Sequence, residues 1–279
     1  MDAKLQRRVQ RYGWDKAAEH YEKFWSAQLL PAQTLLLELA DLKSGEGVLD
    51  VACGTGLVTF PAAEAVGAHG RTVGTDLSAE MIKAITAIAA ERGVGGEFSR
   101  QDAEKLEFAD GTFDAALCAL GLMYVPDGQQ AVREMLRVIK PGGRAVAAVW
   151  GARKNCGWAE IFPIVERRVA SDVCPLFFML GSGDSLADTF SLAGFENVEA
   201  HRISATLDYA NADEAIGASF AGGPVALAYS HFDAPTRESA HAEYLESISA
   251  FRDGAGYRVP GEFVVVRGTR VHDDRDHAA

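Results

Sequence analysis

The segment Val48-Leu49-Asp50-Val51-Ala52-Cys53-Gly54-Thr55-Gly56 constrains the fold more than any other stretch of this 279-residue chain. Val48, Leu49, Val51 and Ala52 make a short apolar run of the kind that fills a buried strand. Glycines 54 and 56 then turn the chain into a helix. Lacking a Cβ, they let the backbone approach a ligand closely, and a helix N-terminus offers it free N–H groups. Asp50 stands inside the strand near its end, where an unpaired carboxylate is costly. Either a ligand presents an ammonium group to it, or the carboxylate bonds to backbone amides of the turn. The dinucleotide fingerprint G-x-G-x-x-G needs a glycine at position 59, and the residue there is Thr59.

From 47 to 149, short apolar runs alternate with helical segments. Strands are expected at 47–52, 72–75, 97–100, 113–117 and 144–149, with helices at 57–66, 79–92 and 128–139. That alternation implies βαβ units and a parallel, right-handedly wound sheet. Pro141-Gly142-Gly143 reads as the stop of the helix before the fifth strand. Past Trp150 come an irregular aromatic stretch at 151–183, a helix at 185–193 and strands at 198–207 and 262–267. Between those strands, 211–252 reads as helical, with a break at Gly222-Gly223-Pro224. The expected architecture is α/β: a Rossmann-like, doubly wound, seven-stranded, mostly parallel sheet with helical cap insertions. Residues 1–40 read as N-terminal lid helices. Residues 41–270 read as the main domain, with insertions at about 151–183 and 208–256, and 271–279 as a flexible tail.

The formal net charge of -12 argues against a surface that tracks nucleic-acid phosphates. No run approaches the roughly 20 apolar residues of a membrane span, and the opening is charged and amphipathic instead of an apolar signal core. Cys53, Cys118, Cys156 and Cys174 are scattered with no CxxC spacing and no histidine cluster, so reduced thiols and no metal are expected. The expectation is a soluble, cytoplasmic protein with a small-molecule substrate, no nucleic-acid partner, and room for a homodimer.

Two further strand ends are acidic. Asp76, in Gly74-Thr75-Asp76-Leu77-Ser78, is placed to accept both hydroxyls of a ribose. Asp102, in Gln101-Asp102-Ala103, can accept from the exocyclic amine of adenine or simply face solvent. Amine, ribose and adenine together describe S-adenosylmethionine better than a dinucleotide, whose pyrophosphate is poorly served here.

The ordered set VLDVACGTG, GTDLSAEMI, QDAEKLEFADGTFDAALC, GLMYVPD and REMLRVIKPGGRAVAAVWG resembles the class I methyltransferases of the ubiquinone/menaquinone-biosynthesis type, over roughly residues 45–150. The resemblance implies a methyltransferase that uses S-adenosyl-L-methionine. It implies Asp50, Gly54, Thr55 and Gly56 around the methionine moiety and Asp76 on the ribose. Leu77 and Met81 would lie against adenine, Asp102 and Ala103 at its edge, and the backbone near Cys118 and Ala119 at the methionine amine. Tyr21 resembles the tyrosine of an A-x-x-Y lid helix. Two departures stand out. Met123-Tyr124 replaces the two histidines of quinone-modifying relatives, and Cys118-Ala119-Leu120-Gly121 replaces the N/D-P-P-Y/W motif of amino-directed nucleic-acid enzymes.

If the acceptor arrives protonated, Tyr124, His20 and His231 are the candidate general bases, each equally readable as a packing or surface residue. Residues 208–256 are expected to cap the acceptor pocket, with Gly222-Gly223-Pro224 as a hinge and the helix carrying Trp14, Tyr21 and Trp25 closing the other side. A catalytically silent cofactor-binding subunit and an NAD-linked oxidoreductase are the alternatives.

Overall fold

The computed structural model describes residues 3–169 and 177–271. Cys174 and residues 272–279 of the expected tail lie outside the described residues. Among the described residues, eight strands form one sheet: β1 (Gly47–Val51), β2 (Arg71–Asp76), β3 (Glu97–Arg100), β4 (Phe113–Ala119), β5 (Ile139–Trp150), β6 (Glu196–Tyr209), β7 (Arg252–Asp253) and β8 (Gly256–Thr269). Seven follow the order β3-β2-β1-β4-β5-β8-β6, and the two-residue β7 adds to β8 beyond the expected seven. Neighbours from β3 to β5 are parallel, and β8 runs antiparallel to β5 and β6. The central strands are covered on both faces, which is why Val48, Leu49, Ala115, Ala116, Leu117 and Val146 are all fully buried with no polar alternation between them.

Nine helices flank the sheet among the described residues: α1 (Ala3–Ala40), α2 (Thr59–Val66), α3 (Ala79–Arg92), α4 (Gly128–Val138), α5 (Ile161–Glu166), α6 (Ser185–Ala193), α7 (Ala212–Ile216), α8 (Ala226–Ser230) and α9 (Ala234–Ser247). Residues 3–40 are one helix, not several, and Pro31 sits inside it. Buried Trp25, Leu29, Ala32 and Leu36 lie on either side of that proline, so packing on the sheet holds both halves in line.

Pro141-Gly142-Gly143 departs from the expected helix stop. α4 has already ended at Val138, and the three residues lie in β5, where its register with β4 shifts between Phe113 and Ala115. They are an irregularity of the strand.

β6 and β8 run on past β5. β5 stops at Trp150, opposite Phe263, while β6 and β8 stay paired from Ser204↔Glu262 out to Tyr209↔Tyr257. Glu262 sits at the root of this arm. Its carboxylate accepts from the Ala152 amide at 2.9 Å and the Asn155 amide group at 2.9 Å, and pairs with Arg202 at 3.0 Å. The arm's far end carries α7, a π-helical turn (Gly217–Ala221), α8 and α9. These build a small core in which Phe220 is flanked by Tyr229, His241 and Tyr244. Gly222 and Gly223 do not read as a free hinge: a Cβ on Gly222 would fall 3.3 Å from the Trp25 ring. They are the close-packed joint between this segment and α1.

Candidate active site

The strand order reverses between β1 and β4, and an open parallel sheet has its crevice at the carboxyl ends of such a pair. A cleft of about 750 Å³, counting space open to solvent, lies there. Each strand exit gives part of the wall: Ala52 and Gly54 after β1, Asp76 and Leu77 at the end of β2, Asp102 and Ala103 after β3, Ala119 and Leu120 at the end of β4. Met81, from the first turn of α3, also lines it. Helix α1 closes the open side with Arg7, Gln10, Trp14 and Tyr21, one stripe at helical spacing.

The two loops at the crevice are strained. Ala52 has φ 57° and Leu120 has φ 61°, left-handed values that cost a non-glycine residue about 1–3 kcal/mol each. Gly54 (φ 55°) and Gly56 (φ 95°) take the same region without a Cβ. The Gly54 amide donates to Asp76 Oδ2 at 3.0 Å and the Ser78 amide to Oδ1 at 2.8 Å, which ties the glycine turn to the end of β2. Burial pushes the Asp76 carboxyl up to about 6, against the pull of those two amides. A carboxylate has about four lone-pair positions, so both oxygens can accept again.

Asp50 lies beneath the turn, 1% exposed. Its partner is not a backbone amide: the Thr59 hydroxyl donates to Oδ2 at 2.6 Å, and Oδ1 has no partner among the described residues. Burial pushes its carboxyl up to about 7, with the Thr59 hydroxyl opposing and the Asp76 charge adding. Thr55 is buried too, its hydroxyl without a partner among the described residues. Asp50, Thr55 and Gly56 thus underlie the cleft and do not line it. Tyr21 lines it, and burial, then the charges of Asp76 and Asp50, hold its phenol protonated.

The rim is stitched by one guanidinium. Arg7 pairs with Asp102 at 3.0 Å and with Glu104, whose side chain is 5% exposed. Glu104 Oε1 also accepts the Asp127 amide at 2.8 Å. Helix α1, the β3 exit and the loop into α4 therefore meet at a single buried carboxylate. Hydrogen bonds to charged partners contribute about 1.5–3 kcal/mol. Glu104→Ala should accordingly speed amide exchange across residues 3–14 by at least about tenfold and leave 25–40 unchanged. Equal protection of the two ends in the variant would show that α1 is held without the latch.

Trp14, Tyr21, Leu120 and Tyr124 also line a second space, an inner chamber of about 300 Å³ counting space open to solvent, walled besides by Trp25, Trp150 and Trp158. Tyr124, at the junction, is edge-on to Trp14 at 5.0 Å. The other two candidate bases lie elsewhere. His20 is half-buried on α1 outside the lining of either space, and His231 is exposed at the end of α8. The histidine that packs in the insertion is His241, 3.0 Å from the Tyr229 hydroxyl. Among the described residues, no group of three or more His, Cys, Asp or Glu is placed to hold a metal ion, and no helix is long and apolar enough to cross a membrane.

Sequence reasoning missed Arg7, Gln10, Leu120 and Gly121. Arg7 and Gln10 had a signal, since they extend the spacing of Trp14 and Tyr21 along one helical stripe. Leu120 and Gly121 had none, because their place in the wall depends on a positive φ at Leu120.

A family model described as a methyltransferase domain matches residues 48–143. The chain is 30% identical over 184 residues to the ubiquinone/menaquinone biosynthesis C-methyltransferase UbiE of Pseudomonas fluorescens, covering 60% of this chain and 72% of that protein. Among solved structures it is similar to the YcgJ protein of Bacillus subtilis (TM-score 0.60, 20% identity, 88% of this chain and 100% of that one). It is also similar to phosphoethanolamine N-methyltransferase 2 of Haemonchus contortus, solved with phosphomonomethylethanolamine and S-adenosylhomocysteine (TM-score 0.61, 14% identity, 92% and 58%). At those identities the two structures attest the fold.

Proposed function

From the premise that the chain belongs to the class I S-adenosylmethionine-dependent methyltransferases of the UbiE-like family, we propose how its cleft is used. The enzyme transfers a methyl group from S-adenosylmethionine to a small-molecule acceptor. The cofactor lies along the strand exits. Asp76 accepts the ribose hydroxyls, Leu77 and Met81 cover adenine, and Asp102 and Ala103 meet its edge. Gly54, backed by Thr55 and Gly56 in the same turn, and the Ala119 backbone opposite hold the methionine end, and Tyr21 closes over it. One observation carries this reading: carboxylates end three adjacent strands around one cleft, and the unpartnered Oδ1 of Asp50 lies under its glycine turn. Such a floor suits a cationic ligand.

When bound, the cofactor supplies an electrophilic methyl on a sulfonium. An electron pair of the acceptor forms the bond to that carbon as the S–C pair returns to sulfur. The chain's part is alignment, which can lower a barrier by several kcal/mol and by about 7–11 in the best cases. Tyr124 stands where cleft and chamber meet, so of the three candidate bases it alone is near the transfer. A positioned base would add about 10²–10⁴-fold for a protonated acceptor. A dinucleotide is disfavoured at Thr59, whose side chain fills the place of the third glycine and bonds Asp50. The buried free thiols of Cys53, Cys118 and Cys156 support a reducing, cytoplasmic setting.

Asp76→Ala should weaken S-adenosylmethionine binding by about 1.5–3 kcal/mol in isothermal titration, the range for hydrogen bonds to a charged group. Unchanged affinity in a folded variant would overturn the placement of the ribose.

A further inference from the structure

The inner chamber has a chemistry of its own. All four tryptophans of the chain line it, together with Tyr21 and Tyr124, and among the described residues no charged side chain does. Within this apolar wall, two hydrogen-bond donors are left unused. The indole N–H groups of Trp25 and Trp158 are buried, at 5% and 2% residue exposure, and neither has an acceptor among the described residues. The two rings stand edge-on with centroids 6.3 Å apart, and each also packs edge-on against Trp150.

A buried donor without an acceptor is penalised, and phenylalanine would fill much of the same space without that penalty. The two side chains belong to different parts of the chain, one on α1 and one in the loop after β5, yet both indoles line the same cavity and each carries an unused N–H. Both indoles are donors only, so what satisfies them must accept. An ammonium offers further donors and would be desolvated among neutral rings. A carboxylate accepts, but two neutral N–H groups are poor recompense for burying its charge.

We propose that this chamber binds the methyl acceptor, and that Trp25 and Trp158 select a compact, uncharged, largely apolar molecule by donating to a carbonyl or hydroxyl oxygen on it. The proposal rests on the methyltransferase reading for its use of the chamber, and it narrows the acceptor to neutral oxygen-bearing molecules. Trp14, Tyr21, Leu120 and Tyr124 belong to both spaces, so an occupant of the chamber lies beside the methionine end of the cofactor.

Three ring compounds of similar shape separate the possibilities: 1-indanone, indane and 2-aminoindane, which are a ketone, a hydrocarbon and an ammonium near neutral pH. Because every tryptophan of the chain lines the chamber, intrinsic fluorescence reports on it directly. In protein saturated with S-adenosylhomocysteine, 1-indanone should bind at least about tenfold more tightly than either analogue. Trp158→Phe and Trp25→Phe should each bring 1-indanone down toward the affinity of indane. S-adenosylhomocysteine affinity should stay within about twofold, and the melting temperature of the apo variants should be unchanged or higher. Equal binding of indanone and indane, preference for 2-aminoindane, or binding of none at millimolar concentration would overturn the proposal. So would variants that melt lower and keep the ketone preference, since the indoles would then only pack. Failure of the wild-type protein to bind S-adenosylhomocysteine would instead strike at the cofactor site.

Discussion

Between pH 8 and pH 5, affinity for S-adenosylmethionine is expected to fall about 100-fold, and Asp50→Asn should flatten most of that slope. Asp50 ionises near pH 7 in the free protein because it is buried with one oxygen unpartnered. A cationic ligand above it favours the ionised form, so binding releases a proton wherever the free protein still holds one. Well below pH 7 that is one proton per site, or a tenfold loss of affinity per pH unit. The stability of the free protein moves the opposite way. With its folded pKa raised from 3.8 to about 7, the carboxyl binds its proton more tightly folded than unfolded, so its contribution is present below about pH 4 and lost as pH climbs to 7. At about 1.4 kcal/mol per unit, the loss is roughly 4 kcal/mol. The free Asp50→Asn protein should therefore melt higher than wild type at pH 8, while binding the cofactor less well. Titration calorimetry in buffers of different ionisation enthalpy counts the protons. Release of none at pH 6 would refute the coupling.

Gly56→Ala should reduce cofactor affinity by at least about 100-fold and destabilise the fold by about 2–6 kcal/mol, the combined range for a strained φ and an overpacked core. Both terms act at this position. The residue sits at φ 95°, and a Cβ there would lie 2.5 Å from Phe60 Cε2 and 3.0 Å from Ile85 Cδ1. Trimming the ring by Phe60→Leu in the same chain should recover the steric part and leave the torsional part. Recovery to wild-type stability would mean that φ at this glycine is not strained for alanine; no recovery would mean that contact with Phe60 is not the cause.

The sheet was legible because its central strands are buried on both faces and their exits are marked by glycine and aspartate. Asp76 and Asp102 fell where strand ends had to place them. The latch was not legible, because Arg7 finds its partners 95 and 97 residues along the chain and nothing local announces them. Helix α1 also buries Gln6, Gln10 and Gln33, which a polarity pattern assigns to solvent. Thr59 was read only as a missing glycine, whereas its hydroxyl is the partner of Asp50. The close packing at the expected hinge was illegible for a related reason: Gly222 approaches Trp25, and glycine looks the same in sequence whether it allows motion or contact.

The six paired positions by which β6 and β8 outrun β5 make a lever. At about 3.3 Å per residue it is roughly 20 Å long, so a tilt of about 10° at its root moves the tip by roughly 3 Å. Gly223 and Pro224, which wall the inner chamber, ride on the segment at that tip. The chamber's width is therefore geared to an angle set at the root of the arm, where Glu262 pins it to Ala152, Asn155 and Arg202. Substrate range in this enzyme can then drift through substitutions at the pivot, with every residue that touches the acceptor left as it is.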